Sequence, residues 1–121
     1  MKTVSEILDR AADLIEPEGA WTQFDFARNA RGEAWSDVEL EESLQSFEPT
    51  CFCIFGAVAM AAEIPSPDGP MAADSVLLDA FGFVSTSQIA DWNDAEGRTQ
   101  AEVVAKLREA AALARAKATG K

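Results

Sequence analysis

The chain contains no histidine and no tyrosine, and only two of its 121 residues are cysteines. Without histidine it has no Ser-His-Asp or Cys-His catalytic arrangement of its own, and no His-ligated zinc, non-haem iron or haem site. Long hydrophobic runs are also missing. The longest uncharged apolar stretch spans residues 51–62, whereas a membrane-spanning helix needs about 20 such residues. The first residues carry acids early and lack an apolar signal region, so we expect a cytoplasmic protein.

Basic residues are scarce and concentrated at one end of the chain. Residues 1–97 contain nineteen acids and four bases, a net charge of −15, whereas residues 98–121 contain six bases and two acids. A strongly acidic body repels phosphate backbones, which argues against direct nucleic-acid binding. The same charge could imitate nucleic acid toward a basic protein partner, or it could serve solubility alone.

Hydrophobic periodicity predicts a mostly α-helical, compact single domain over residues 1–117, followed by a frayed tail at 118–121. Residues 50–63 are apolar on nearly every side, which indicates a central helix that is buried on nearly every side. Capping-box spacings of Thr3 with Glu6 and of Thr99 with Glu102 indicate where the first and last helices start. The predicted helices cover residues 4–15, a short segment from 36, 50–63, 72–81, 85–92 and 99–117.

A short β-hairpin is predicted over residues 22–35. Phe24 and Phe26 alternate with polar residues, a period of two that is typical of strands, and a turn-forming segment follows them. Because a two-stranded hairpin is marginal alone, its aromatic face must lie on the helices. Together with Trp21 and Trp35, these aromatic side chains could cover the core or present an interaction face.

The two cysteines, Cys51 and Cys53, are two residues apart on the predicted central helix. Their side chains then point to nearly opposite sides and cannot form a disulfide with one another. A zinc site within the chain would need carboxylates to complete it, and a reactive thiolate needs a nearby cation or base. No basic residue lies between Arg31 and Arg98. We therefore expect both thiols to be reduced, buried and free of metal, and we expect no cofactor.

The segment from Trp92 to Thr99 allows two interpretations. In the functional one, Asn93, Asp94 and Arg98 form a polar pocket that could bind a small ligand or a peptide backbone, with the Trp92 indole beside it. In the structural one, Asn93 adopts a left-handed conformation after a helix. Asp94 then pairs with Arg98 across the loop, and Thr99 caps the next helix.

Four carboxylates form an acidic cluster at Asp37, Glu39, Glu41 and Glu42. Paired carboxylates can perform acid–base chemistry when burial shifts the pKa of one of them, but these lie in a polar segment and are expected to be solvated. Their spacing matches no calcium-binding loop. The cluster is therefore a candidate surface for a protein partner.

Several segments together resemble a family of short, uncharacterised bacterial and phage proteins. They include a Cys-x-x-Gly-Ala motif from Cys53 and a Trp-Asn-Asp motif from Trp92, followed by Arg-Thr-x-x-Glu-Val from Arg98. Residues 14–23 and 27–32 extend the similarity over most of the chain. The resemblance implies no activity that can be transferred residue by residue. The occurrence of the family in phages suggests interaction with a host protein.

These observations favour a non-catalytic protein-binding or regulatory module with an acidic surface. Its sharper form is a phage-type inhibitor that occupies the nucleic-acid-binding groove of a basic host defence protein. The alternative is a small-molecule-binding protein or enzyme that uses the 93–98 loop. We expect no membrane association. The candidate binding residues are Trp21, Trp35, Asp37, Glu39, Glu41, Glu42, Trp92, Asn93, Asp94 and Arg98.

Overall fold

The computed structural model describes residues 3–25, 27–35, 48–62 and 71–119. Within these ranges the chain forms five helices and one two-stranded antiparallel sheet, which confirms the predicted mostly helical fold. The elements are α1 (Val4–Ile15), β1 (Ala27–Asn29), β2 (Pro49–Phe52), α2 (Ile54–Ala62), α3 (Met71–Phe81), α4 (Thr86–Asn93) and α5 (Gln100–Thr119). Among the described residues, none of the helices combines the length and apolar character that crossing a membrane requires.

Helix α1 has the predicted boundaries, and its start is specified locally. The Thr3 hydroxyl accepts from the Glu6 backbone N–H at 3.2 Å, and the Glu6 carboxylate accepts from the Thr3 N–H at 2.8 Å. This reciprocal pair is a capping box. The apolar face of α1 is buried through Ile7, Leu8, Ala11, Ala12 and Ile15.

Helix α5 packs along α1 and α3. Its buried face repeats at helical spacing, as predicted, and the Val104 side chain beside that face is half-buried. The small residues on it allow close approach of the neighbouring helices. The buried residues are Val103, Leu107, Ala110, Ala111 and Ala114.

Helix α2 forms the centre of the core, with Ile54, Ala57 and Val58 fully buried. It begins at Ile54, four residues later than predicted. The preceding residues pair as strand β2 with β1, in the register Ala27 to Phe52. Apolar character all round is common to buried helices and buried strands, so periodicity alone did not separate the two elements.

The sheet therefore differs from the predicted hairpin in its second strand. Strand β1 pairs with β2, which is distant in sequence, while the predicted partner is represented by a single bridge between Arg28 and Ala34. Trp21 bridges the other side of Phe52. The predicted short helix from residue 36 lies outside the described residues.

Candidate functional site

Asn93, the last residue of α4, is only 1% exposed, and its side-chain amide joins three parts of the chain. Its Oδ1 accepts from Trp21 Nε1 at 3.0 Å and from the Ile54 backbone N–H at 3.2 Å. Its Nδ2 donates to the Thr22 carbonyl at 3.3 Å and to Asp94 Oδ1 at 3.0 Å. An amide side chain offers two acceptor lone pairs and two N–H donors, so all four are used.

The loop before β1 lies across the C-terminal end of α4. Gln23 Nε2 donates to the carbonyls of Asn93 and Ala95, at 3.0 and 3.1 Å. The backbone N–H of Phe24 donates to Asp94 Oδ1 at 2.9 Å. These bonds connect residues about seventy positions apart and position the loop against the helix end.

Phe24 has an unusual conformation for a large apolar residue. Its φ of 72° lies in the left-handed region, and the residue is 74% exposed. Such a backbone conformation costs about 1–3 kcal/mol in a non-glycine residue and persists where surrounding contacts determine it. The hydrogen bond to Asp94 is such a contact. The alternation of Phe24 and Phe26 placed both on the inner face, which is wrong for Phe24, and Phe26 lies outside the described residues.

Arg98 is fixed by neighbours other than the expected one. Its Nε donates to the Trp92 carbonyl at 2.9 Å, its Cζ lies 4.0 Å from the centroid of the Trp92 ring, and Nη1 lies 3.3 Å from Glu102 Oε2. Trp92 in turn packs edge-on against Phe81, with 4.8 Å between ring centroids. The expected pair with Asp94 does not form, because Asp94 accepts N–H groups from the preceding residue and the loop instead.

The rest of the 92–99 segment follows the structural interpretation in part. Asn93 is helical, and the left-handed residue of this loop is Gly97, with a φ of 84°. Thr99 caps α5 as predicted: its hydroxyl accepts from the Glu102 N–H at 3.2 Å, and the Glu102 carboxylate accepts from the Thr99 N–H at 2.8 Å. These bonds to Thr99 lower the pKa of Glu102.

A concave pocket of about 260 Å³ lies between the start of α2 and the end of α4. Its walls are mostly apolar, and two carboxylates lie among them. Asp94 thus contributes to a pocket, as the functional interpretation expected, but Trp92 and Arg98 do not line it. The lining residues are Phe24, Asp25, Cys53, Ile54, Phe55, Ala90, Asn93 and Asp94.

Cys53 caps α2 beside this pocket. Its Sγ accepts from the Gly56 N–H at 3.4 Å, while Asn93 accepts from the Ile54 N–H. Burial raises the pKa of the Cys53 thiol to about 11, so the thiol is protonated at neutral pH. Sequence reasoning missed this cap, because cysteine is not among the usual N-cap residues.

The remaining candidate residues are distributed over the fold. Trp21 and Trp35 are half-buried and pack against the core. Cys51 lies half-buried on β2, and both cysteines are free thiols. The part of the chain that the structure describes shows no cluster of three or more cysteine, aspartate or glutamate side chains that could hold a metal ion. The acidic cluster, Asp37, Glu39, Glu41 and Glu42, lies outside the described residues.

Bases on α5 neutralise acids on α1 and α3 but not those near the pocket. Arg108 pairs with Asp9, Asp13 and Glu16, Arg115 pairs with Asp9, and Lys117 pairs with Asp79. Within the described ranges, three carboxylates at and after the end of α4 form no ion pair. They are Asp91, Asp94 and Glu96.

A family model described as "Family of unknown function (DUF6197)" matches residues 1–113. The chain therefore belongs to this family of unknown function. No curated protein and no solved structure matches the chain.

Proposed function

We propose that this DUF6197 protein is a non-catalytic module that binds another protein, in the cytoplasm, through its acidic surface. The observation that carries the proposal is the negative charge of Asp91, Asp94 and Glu96, which form no ion pair within the described residues, together with the exposed Phe24, whose backbone N–H is bonded to Asp94. Exposed aromatic groups supply contact area, and surface charge of one sign accelerates association with an oppositely charged partner. The expected partner is a basic protein.

Asn93, Arg98 and Cys53, three of the side chains considered for catalysis or binding, have structural roles. All hydrogen-bonding groups of the Asn93 amide are used, and Arg98 is bonded to Trp92 and Glu102. The Cys53 thiol is buried and its raised pKa disfavours the nucleophilic thiolate. These roles support binding rather than chemistry at this site.

A more specific version of the proposal is that the protein is a phage-type inhibitor. In that form the acidic surface occupies the nucleic-acid-binding groove of a host defence protein, where carboxylates take the place of phosphates. The net charge of −11 supports this form, and it requires association that weakens as salt concentration rises.

The test is a set of matched baits in a host lysate. Asp91→Asn with Glu96→Gln removes two charges, at and after the end of α4, that form no ion pair in the part of the chain that the structure describes. The control, Asp79→Asn with Glu109→Gln, removes two charges that Lys117 and Lys106 already neutralise. We expect the parent and the control to retain a basic partner at low salt and release it at high salt, and the first variant to retain less. Equal capture by all three baits at every salt concentration would contradict the proposal.

The acidic cluster at Asp37, Glu39, Glu41 and Glu42 provides a second arm of the test. Reversal of all four to lysine should slow association with the recovered partner without unfolding the domain. Replacement by asparagine and glutamine is the control for lost side-chain contacts. Unchanged association rates at low salt would show that this cluster is a solvated surface only.

A second candidate function is the binding of a small molecule, which the pocket beside Asn93 and Asp94 favours. Drug-sized ligands occupy pockets of about 300–1,000 Å³, so this one suits a smaller group. A rise in melting temperature with a small molecule that leaves partner binding unchanged would support this candidate.

A further inference from the structure

The pocket between α2 and α4 carries a carboxylate oxygen without a bond in the described residues, and two N–H groups at the adjacent helix start are already bonded. Asp94 Oδ1 accepts from the Phe24 N–H and from Asn93 Nδ2, and neither bond uses Oδ2. At the start of α2, the N–H groups of Ile54 and Gly56 are already bonded to Asn93 and Cys53. An anion would therefore meet a carboxylate and few available N–H groups, whereas a cation would find an acceptor.

The charges around the pocket also favour a cation over an anion. Asp25 and Asp94 both line it, and Asp25 Oδ2 is paired with Arg28 at 2.6 Å. The three charges sum to −1. The pocket also lies at the C-terminal end of α4, where the helix dipole favours positive charge.

The apolar walls specify what kind of cation fits. Phe24 and Phe55 supply two aromatic rings, and Ile54 and Ala90 supply aliphatic surface. A guanidinium on an aliphatic stem matches this combination, because its flat face stacks on aromatic rings while its N–H groups bind a carboxylate. A volume of about 260 Å³ suits a single side chain rather than a larger ligand.

We propose that this pocket receives an arginine side chain of the protein partner, with Asp94 as its carboxylate acceptor and Phe24 as its stacking surface. The inference rests on the proposed function, since it names the group of the basic partner that the acidic face recognises. It also gives the left-handed backbone of Phe24 a role, because that conformation presents an apolar ring to solvent at the pocket rim.

The direct test is a titration of the ¹⁵N-labelled full chain with N-acetyl-arginine methylamide, followed by amide chemical shifts. The matched probes are the citrulline analogue, which is neutral and nearly isosteric, and the lysine analogue. We expect saturable shifts at the amides of Phe24, Phe55 and Asp94 with the arginine probe and weaker binding of the lysine probe. The citrulline probe should produce no saturable shifts. Equal binding of the arginine and citrulline probes would overturn the inference.

Two variants separate binding from stability. Asp94→Asn keeps an acceptor for the Phe24 N–H but removes the charge, so affinity for the arginine probe should fall by about tenfold or more. Asp79→Asn is the control, because this exposed carboxylate lies on α3 outside the pocket lining and is paired with Lys117. Phe24→Gly removes the ring at a position where glycine is conformationally favoured, so binding should weaken while the melting temperature stays or rises.

The outcomes distinguish the inference from the proposed function. If Asp94→Asn or Phe24→Gly binds the arginine probe like the parent, the pocket assignment is wrong, even if partner capture stays salt-sensitive. If the probe binds as expected while all baits capture the same proteins at every salt concentration, the proposed function is wrong and the pocket is a site for a small cation.

Discussion

At the scale of single residues, Asn93 makes the most long-range contacts of the site. Its buried amide is the common partner of Trp21, Thr22 and Ile54, which belong to two segments distant from it in sequence. A buried amide with every group bonded specifies one arrangement of its neighbours, because any other arrangement leaves polar groups unpaired.

The Asn93→Ala variant should lower the free energy of unfolding by about 2–4 kcal/mol, because it leaves the Trp21 and Ile54 N–H groups without an acceptor. Denaturant unfolding followed by circular dichroism measures this loss. Asp91→Ala, an exposed change on the same helix, should stay within about 0.5 kcal/mol of the parent. If Asn93→Ala were as stable as the parent, the hydrogen bonds described above would not contribute to stability.

The two thiols should differ in reactivity. Burial raises the pKa of Cys53 from 9.0 to about 11, so its thiolate fraction at pH 8 is about a hundredfold lower than that of an unperturbed thiol. Iodoacetamide should therefore modify the half-buried Cys51 first in the native protein, and both cysteines after denaturation. Mass spectrometry of chymotryptic peptides measures the two rates, because cleavage after Phe52 separates Cys51 from Cys53. Faster modification of native Cys53 would contradict its placement.

At the scale of secondary-structure elements, the helix starts depend on reciprocal side-chain caps. Thr3 with Glu6 and Thr99 with Glu102 each satisfy N–H groups that a helix start leaves unpaired. The start of α2 differs, because Cys53 and the distant Asn93 provide its acceptors. The start of α2 therefore depends on tertiary structure, whereas the starts of α1 and α5 are local.

Thr99→Ala should lower the free energy of unfolding by about 1 kcal/mol, the usual cost of a lost N-cap, and reduce the melting temperature by several degrees. Thr86→Ala is a matched control, since Thr86 is exposed at the first position of α4, after the N-cap Ser85. Differential scanning calorimetry compares the two variants. An equal effect of both would show that the Thr99 cap is not what stabilises α5.

At the scale of the whole molecule, the acidic body and the basic last helix are partly complementary. Arg108 reaches Asp9, Asp13 and Glu16 on α1, and Arg115 also reaches Asp9. The first and last helices thus attract one another electrostatically. The negative charge that they do not neutralise lies on other surfaces.

This pairing should make stability depend on pH. Burial of Asp9 acts to raise its pKa, but the hydrogen bonds and charges of Arg115 and Arg108 outweigh it and lower the pKa. A lowered pKa stabilises the folded state above the unfolded value of about 3.9, and this contribution is lost as pH falls through the folded value. Arg108→Gln should therefore cost about 1 kcal/mol or less at pH 7, because solvent screens these half-exposed groups, and still less below pH 3.

Urea unfolding at pH 7 and pH 2, at low salt and in 1 M salt, measures the effect. The control Arg31→Gln alters an exposed arginine whose ion pair within the described residues is with the nearby Glu33. It should change stability little at either pH. A cost of Arg108→Gln that persists at pH 2 or in high salt would show that the guanidinium acts through packing rather than charge.

The sequence by itself determined the elements whose signals are local. The capped starts of α1 and α5 and the buried stripe of α5 depend on spacing and on side chains within one turn, so they could be predicted. The sequence also singled out Asn93 and Asp94 as residues of a pocket or a helix-ending loop, but it did not identify their hydrogen-bond partners.

Tertiary structure alone decided the arrangements in which distant residues meet. Residues 49–52 form a strand rather than a helix because β1 and the backbone of Ala20 and Thr22 supply their hydrogen-bond partners. Phe24 faces solvent because its N–H is bound by a carboxylate seventy residues away, which overrides the alternation of its neighbours. Asp94 Oδ1 accepts a hydrogen bond from the same loop, and Arg98 pairs with Glu102 rather than with Asp94. Hydrogen bonds between distant segments leave no periodic trace in the sequence, which is why the pocket required the folded structure.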